Sequence, residues 1–120
     1  PILHAVTDSI LGASGMNDIG QKFSNKRVKF KNIRSTILLK KVMEEIKLKN
    51  IFINNIDINV ITEYPKINKH KKKIMDNISK ICKIKKNQIN LKGKTAEKLG
   101  IIGKEKAIAC EVIASVVKYD

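Results

Sequence analysis

Four separated segments carry side chains able to act on a ligand. His4 and Asp8 stand four residues apart, one turn from each other if the stretch is helical. A neutral imidazole is a good zinc ligand; a lone histidine at a helix start also serves as an ordinary structural side chain. Asp18-Ile19-Gly20 sets a carboxylate, which accepts from hydroxyls, beside a glycine that lets backbone approach closely. The same aspartate also fits an Asx-turn. Tyr64-Pro65-Lys66 pairs a stiff residue with an ammonium suited to phosphate, and reads equally as a plain strand-to-helix connection. Thr95-Ala96-Glu97 places a hydroxyl and a carboxylate in a Gly-punctuated stretch, where T-x-E also makes a helix cap. No glycine-rich nucleotide loop, Cys-x-x-Cys pair or His-Glu-x-x-His motif is present, and no repeat at a fixed period.

The elements between these segments follow from periodicity. Leu3, Val6 and Ile10 predict a helix over 2–14, ended by Gly12 with Gly15; His4, Asp8 and Leu11 share another stripe of it. Residues 15–34 read as a long loop, the kind of segment that often carries function. Ser35 is expected to cap a helix over 36–49, buried through Leu39, Val42, Met43 and Ile46. Ile56 to Val60 alternates as a half-buried strand, which Pro65 should stop. A third helix, 68–83, turns Ile74, Ile78, Ile81 and Cys82 inward and Lys71, Lys72, Lys73 and Lys80 outward. Gln88 to Lys92 is a second strand with Ile89 and Leu91 on one face, 93–103 is a loop, and 106–118 is the last strand.

That last strand is apolar on both faces: Ile108, Cys110, Val112, Ala114 and Val116 on one, Ala107, Ala109, Ile113 and Val117 with Glu111 and Ser115 on the other. Helices cover one face of so small a sheet, so the other is expected to pack on another subunit, where Glu111 needs a partner. The order of elements predicts an α+β fold with helices on one side of the sheet.

The chain has 120 residues, enough for one domain, with 42% hydrophobic residues and only 4% aromatics, so Ile, Leu and Val must fill the core. No apolar run approaches the ~18 residues of a membrane span. Two cysteines make no disulfide framework and fit reduced thiols in a non-secreted protein. The chain starts at Pro1 without a methionine, so a preceding segment is expected. The net charge of +14 invites a nucleic-acid reading. Yet 23 of 25 basic residues are lysine, and 21 Ile and 11 Asn accompany them, amino acids that share A/T-rich codons. The lysines are spread over every segment, which fits base composition and a solvated surface.

Three motifs taken together carry a resemblance: His4-Ala5-Val6-Thr7-Asp8-Ser9-Ile10-Leu11-Gly12-Ala13 with Asp18-Ile19-Gly20-Gln21-Lys22-Phe23; Asp57 to Ile61 leading into Tyr64-Pro65-Lys66; and Thr95-Ala96-Glu97-Lys98-Leu99-Gly100 before Cys110-Glu111. In this order and spacing the chain resembles the 2-C-methyl-D-erythritol 2,4-cyclodiphosphate synthase family of the non-mevalonate isoprenoid pathway. The resemblance implies a small mixed, ferredoxin-like sheet whose free face lies in a homotrimer interface, with active sites between subunits. It implies cyclisation of 4-diphosphocytidyl-2-C-methyl-D-erythritol 2-phosphate with release of CMP.

The site residues it implies are as follows. His4 matches a ligand of Zn²⁺ or another divalent transition metal, and its partner ligands precede Pro1. Glu97 matches the carboxylate on Mg²⁺ or Mn²⁺, and Thr95 the hydroxyl on the diphosphate. Asp18, Ile19 and Gly20 match the loop on the methylerythritol hydroxyls, which continues through Phe23 and Asn25; there the family's usual Phe-Pro-Asp-Thr-Asp stands as Phe23-Ser24-Asn25-Lys26-Arg27. Thr62, Pro65, Lys66, Ile67 and Asn68 match the cytidine loop. Lys94, Ala96, Ile101 and Lys104 complete the substrate contacts; Lys94 and Ala96 replace small hydroxyl residues, and Lys104 a residue that is usually Arg. Neither nucleic acid nor membrane is an expected partner. Two other readings stay open, a basic RNA-binding module and an inactive structural homologue. The composition with this pathway predicts a plastid or apicoplast stroma, with bacterial cytoplasm as the alternative.

Overall fold

The computed structural model describes residues 2–17, 34–62, 67–94 and 109–120. Helix α1 (Ile2–Ala13) and helix α2 (Ser35–Leu48) precede strand β1 (Ile51–Ile61). Helix α3 (Ile67–Cys82), a short 3-10 turn (Lys86–Gln88), strand β2 (Ile89–Lys94) and strand β3 (Ala109–Lys118) follow. The sheet has the order β2-β1-β3, with β1 parallel to β2 and antiparallel to β3. A parallel pair needs a crossover, and α3 supplies it.

Each helix buries the stripe its period dictates. α1 buries Val6, Thr7, Ile10 and Leu11. Leu11 therefore leaves the stripe assigned to His4 and Asp8, which are both exposed. Thr7, a buried polar side chain, donates to the Leu3 carbonyl at 2.7 Å. The helix runs through Gly12, and its end is made at Gly15, whose φ of 71° suits glycine. Gly15 N–H donates to Gly12 O (3.1 Å) and Met16 N–H to Leu11 O (2.8 Å), the two closing bonds of a Schellman motif.

In α2 the buried residues are Leu38, Leu39, Val42 and Ile46, with Met43 half-buried. Ser35 is its first helical residue and not its cap; Arg34 holds the cap position without a side-chain bond. The helix turns into β1 through Asn50 (φ 59°), a left-handed position that asparagine tolerates.

Strand β1 is longer than its alternation showed. A bulge shifts the register between Ile53 and Asn55. Ile51 and Ile53 thus share the core face with Ile56, Ile58 and Val60, although the spacing changes phase between the two sets. The Gln88 amide secures this bulge by donating to the carbonyls of Ile53 (3.3 Å) and Asn54 (3.1 Å). Gln88 belongs to the 3-10 turn, so β2 starts one residue later than expected and extends two further, to Lys94. Ile89 and Leu91 are buried, as are Ile78, Ile81 and Cys82 of α3; Ile74 is half-buried and Lys71, Lys72, Lys73 and Lys80 are exposed.

On β3, Cys110, Val112, Ala114 and Val116 pack against the core while Glu111, Ile113, Ser115 and Val117 face outward. Ile113 is 72% exposed, and Phe52, Val117 and Tyr119 extend the apolar patch, Phe52 and Tyr119 meeting edge to face at 5.6 Å. Glu111 sits opposite Asn59 and is exposed in the single chain. The expected strand residues 106–108, and the 18–33 part of the expected 15–34 loop, lie outside the described residues. No described helix is long and apolar enough to cross a membrane.

Both cysteines are free thiols. Burial pushes Cys82 up to about 12 and raises Cys110 as well. A raised thiol pKa favours the protonated folded form, so the stabilisation is complete below the ordinary value of 9.0 and is lost as pH climbs toward about 12. The thiolate is the reactive species. Alkylation of native protein at pH 8 is therefore expected to leave Cys82 unmodified until urea unfolds the chain, with Cys110 reacting slowly. Labelling of native Cys82 at the rate of a free thiol would contradict its burial.

Candidate active site

Two of the four chemistry-bearing segments adjoin the carboxyl end of the parallel strand pair, one after Thr62 and one after Lys94. β1 and β2 run side by side from Ile56↔Ile89 to Ile61↔Lys94. The next residue, Thr62, donates its N–H to the Lys94 carbonyl at 3.0 Å. Two expected substrate contacts, 32 positions apart, thus meet through a backbone hydrogen bond. Ile61 also pairs with Ala109, so the segment between β2 and β3 leaves from and returns to this same edge. α3 begins five residues after Thr62 and crosses back to β2, so its positive dipole end points toward the end of the sheet where β1 finishes.

Ile67 and Asn68 lie in the first turn of α3. Asp18, Ile19, Gly20, Phe23, Asn25, Pro65, Lys66, Thr95, Ala96, Glu97, Ile101 and Lys104 lie outside the described residues. Covalent geometry alone sets Thr95 about 3.8 Å from Lys94, Cα to Cα.

His4 is exposed on the first turn of α1, a helix packed against β3 and α2. Among the described residues no group of three His, Cys, Asp or Glu side chains can hold a metal ion. One imidazole does not make a zinc site, so the described residues do not build one by themselves.

The outward sheet face carries a polar row beside the apolar patch. Lys92 Nζ stands 3.2 Å from Asp57 Oδ2, with Asn59 and Glu111 next along the strands. An open groove of about 930 Å³ lies near the other end of the sheet, lined in part by Lys40, Met43, Lys47, Ile81, Lys83 and Gln88; no expected site residue lines it. Sequence reasoning treated Lys71, Lys72 and Lys73 as a solvated helix face. Their place in the first two turns of α3 puts them in the part of the crossover helix that follows β1 and Thr62 in the chain. The run of like charge was visible in the sequence, but the crossover that carries it was not.

Comparison with known proteins supplies the relationship. Residues 1–117 match the YgbB family. The chain is 66% identical over 120 residues to a protein of Pelagibacter ubique named bifunctional enzyme IspD/IspF, covering 100% of this chain and 32% of that one. It is 50% identical over 109 residues to the apicoplast 2-C-methyl-D-erythritol 2,4-cyclodiphosphate synthase of Plasmodium falciparum, covering 91% of this chain and 45% of the relative. The chain thus spans just under a third and just under a half of the length of these two curated relatives. A solved structure titled as a CDP complex of IspF from Plasmodium falciparum superposes with a TM-score of 0.87 at 43% identity, over 99% of this chain and 71% of the other. The small mixed sheet, the helices on one of its faces and a match along nearly the whole length agree, and the chain belongs to the YgbB family.

Proposed function

We propose that the protein cyclises 4-diphosphocytidyl-2-C-methyl-D-erythritol 2-phosphate to 2-C-methyl-D-erythritol 2,4-cyclodiphosphate. An oxygen of the 2-phosphate attacks the β-phosphorus, the bond from that phosphorus to the bridging oxygen breaks, and CMP leaves with the bridging oxygen. The observation that carries the reading is the meeting of Thr62 with Lys94, because it joins the cytidine-side and diphosphate-side segments at one edge. The relative whose printed name is that of this synthase, and the related structure titled as a CDP complex, support it.

Phosphoryl transfer asks a protein mainly for positioning and charge neutralisation. On this reading Asp18 accepts from the methylerythritol hydroxyls, with Ile19, Gly20, Phe23 and Asn25 around them. Thr62 and residues 65–68 hold the cytidine. Thr95 donates its hydroxyl to the diphosphate, while Lys94 and Lys104 offset its charge and Ala96 and Ile101 line it. Lys104 acts as a point charge where an Arg would bind bidentately.

Metal ions belong to the proposal through the resemblance: Zn²⁺ or another divalent transition metal on His4, Mg²⁺ or Mn²⁺ on Glu97. Such an ion would polarise phosphate oxygens. The steps above stand on the chain's own residues.

The test is CMP release by the protein at its natural length, with Zn²⁺ and Mg²⁺ supplied. Cyclic product with CMP supports the reading; a folded protein releasing none would be an inactive homologue, and the departures at Asn25, Lys26, Arg27, Lys94 and Ala96 would explain it. His4→Ala is expected to lower bound zinc, read by metal analysis; unchanged zinc removes His4 as a ligand.

The outward apolar face fits the proposed homotrimer, since a patch such as Ile113 with Phe52 and Val117 favours burial. Ile113→Asp is expected to shift the mass in solution from trimer to monomer by light scattering. An unaltered trimer would place the interface elsewhere. A bacterial setting is the better supported one, with 66% identity to the Pelagibacter relative against 50% to the apicoplast relative.

A further inference from the structure

We propose that the exposed lysines at the start of α3 form an electrostatic funnel that captures the anionic substrate at the Thr62–Lys94 edge. The inference rests on the activity proposed above. Lys69, Lys71, Lys72 and Lys73 are all exposed, and His70 among them is exposed too. They lie within about 9 Å of the first residue of α3 along its axis, at 1.5 Å per residue. That first residue follows Thr62 by five positions, and α3 runs back from there to β2, so the crossover places the cluster toward the end of the sheet where Thr62 meets Lys94.

Cations outnumber carboxylates there, although Glu63 follows Thr62, Glu97 follows Lys94 by three positions and Glu111 is exposed on β3. The first turn of α3 holds no acid. Its first carboxylate is Asp76, paired with Lys86 at 2.6 Å, and Asp57 on β1 is paired with Lys92 at 3.2 Å. The helix dipole adds positive potential at the same end. The substrate carries two phosphate-bearing groups, and a clustered charge of opposite sign raises the rate of encounter and the local concentration of such a ligand by about 10-fold to 1,000-fold at low salt.

Lysines at the opposite end of the sheet are too distant to do this. Lys47 and Lys49 precede β1, and the eleven-residue strand separates its two ends by about 33 Å at 3.3 Å per residue. Screening sets in at about 8–10 Å at physiological ionic strength. Local placement, and not the net charge of +14, should therefore govern capture.

The experiment compares three forms of the full-length protein: unaltered, Lys71→Gln/Lys72→Gln/Lys73→Gln, and the distal control Lys47→Gln/Lys49→Gln/Lys83→Gln. CMP release and the affinity for CDP are both measured from low salt to 0.5 M. The proximal triple is expected to lose about tenfold in kcat/KM and in CDP affinity at low salt, with kcat within twofold, and to converge on the unaltered protein at high salt. The distal triple should stay within twofold throughout. Equal losses in both triples, no loss in either, or a loss that persists at 0.5 M salt would each overturn the funnel. Absence of CMP release from the unaltered protein would instead overturn the proposed activity. CDP affinity then decides the funnel, and failure to bind CDP at low salt would end it.

Discussion

Ile58→Ala is expected to cost about 3–4 kcal/mol of folding stability, in the middle of the range for truncating a buried isoleucine to alanine. Ile58 is fully buried on the central strand, which is paired on both sides. It stands between Leu91 of β2, 1% exposed, and Val112 of β3, and faces the helices. Truncation leaves a cavity where sheet and helices meet, and two ladders hold the backbone so that collapse cannot fill it. Urea denaturation at one fixed protein concentration, needed because assembly adds to apparent stability, measures the loss. Ile58→Val, one methyl smaller, should lose only about 1 kcal/mol. A loss below about 1 kcal/mol for Ile58→Ala would contradict its central position in the core.

Glu97→Gln is expected to have the largest effect on turnover, a fall in kcat of at least about 100-fold with a raised Mg²⁺ requirement, comparable to removing one transition-state charge partner. The substitution keeps side-chain shape and removes charge. Glu97 follows Lys94 by three positions, so covalent geometry holds it within about 11 Å of that strand end. Lys94 is bonded to Thr62, so this radius is drawn around the edge where the segments of the proposed site converge. Glu97→Asp should retain more activity than Glu97→Gln, because the charge survives although its reach is shorter. Steady-state CMP release at several Mg²⁺ concentrations is the measurement. Kinetics unchanged in Glu97→Gln would assign Glu97 to a helix cap and remove it from catalysis.

Local patterns were legible where a periodic signal was unbroken. Leu39, Val42 and Ile46 repeat at helical spacing and are buried on α2; Ile78, Ile81 and Cys82 do the same on α3. The strand at Ile56–Val60 was visible because its alternation is clean, whereas the Ile51–Ile53 part was not. The bulge at Asn54 changes the phase, and the carbonyls it diverts are met by Gln88, 34 residues away. Ser35 was misplaced by one residue because a serine one position inside a helix looks like a serine at its cap. Leu11 was misassigned because a helix packed on two neighbours buries a wider stripe than one period implies; α1 meets both β3 and α2.

Residue order alone revealed the kinds of element, the buried residues of each unbroken periodic stretch, and the three motifs that relate the chain to its family. Those properties depend on neighbours within one or two turns, or on residue identity alone. Tertiary structure decided which distant segments meet. The Thr62–Lys94 bond, the placement of the α3 lysines toward the same end of the sheet and the outward orientation of Ile113 all depend on strand order and register. The reason is physical: a strand's partner is set by burying the inner faces of all three strands under the helices at once. That condition belongs to the assembled core and leaves no periodic trace in any single segment.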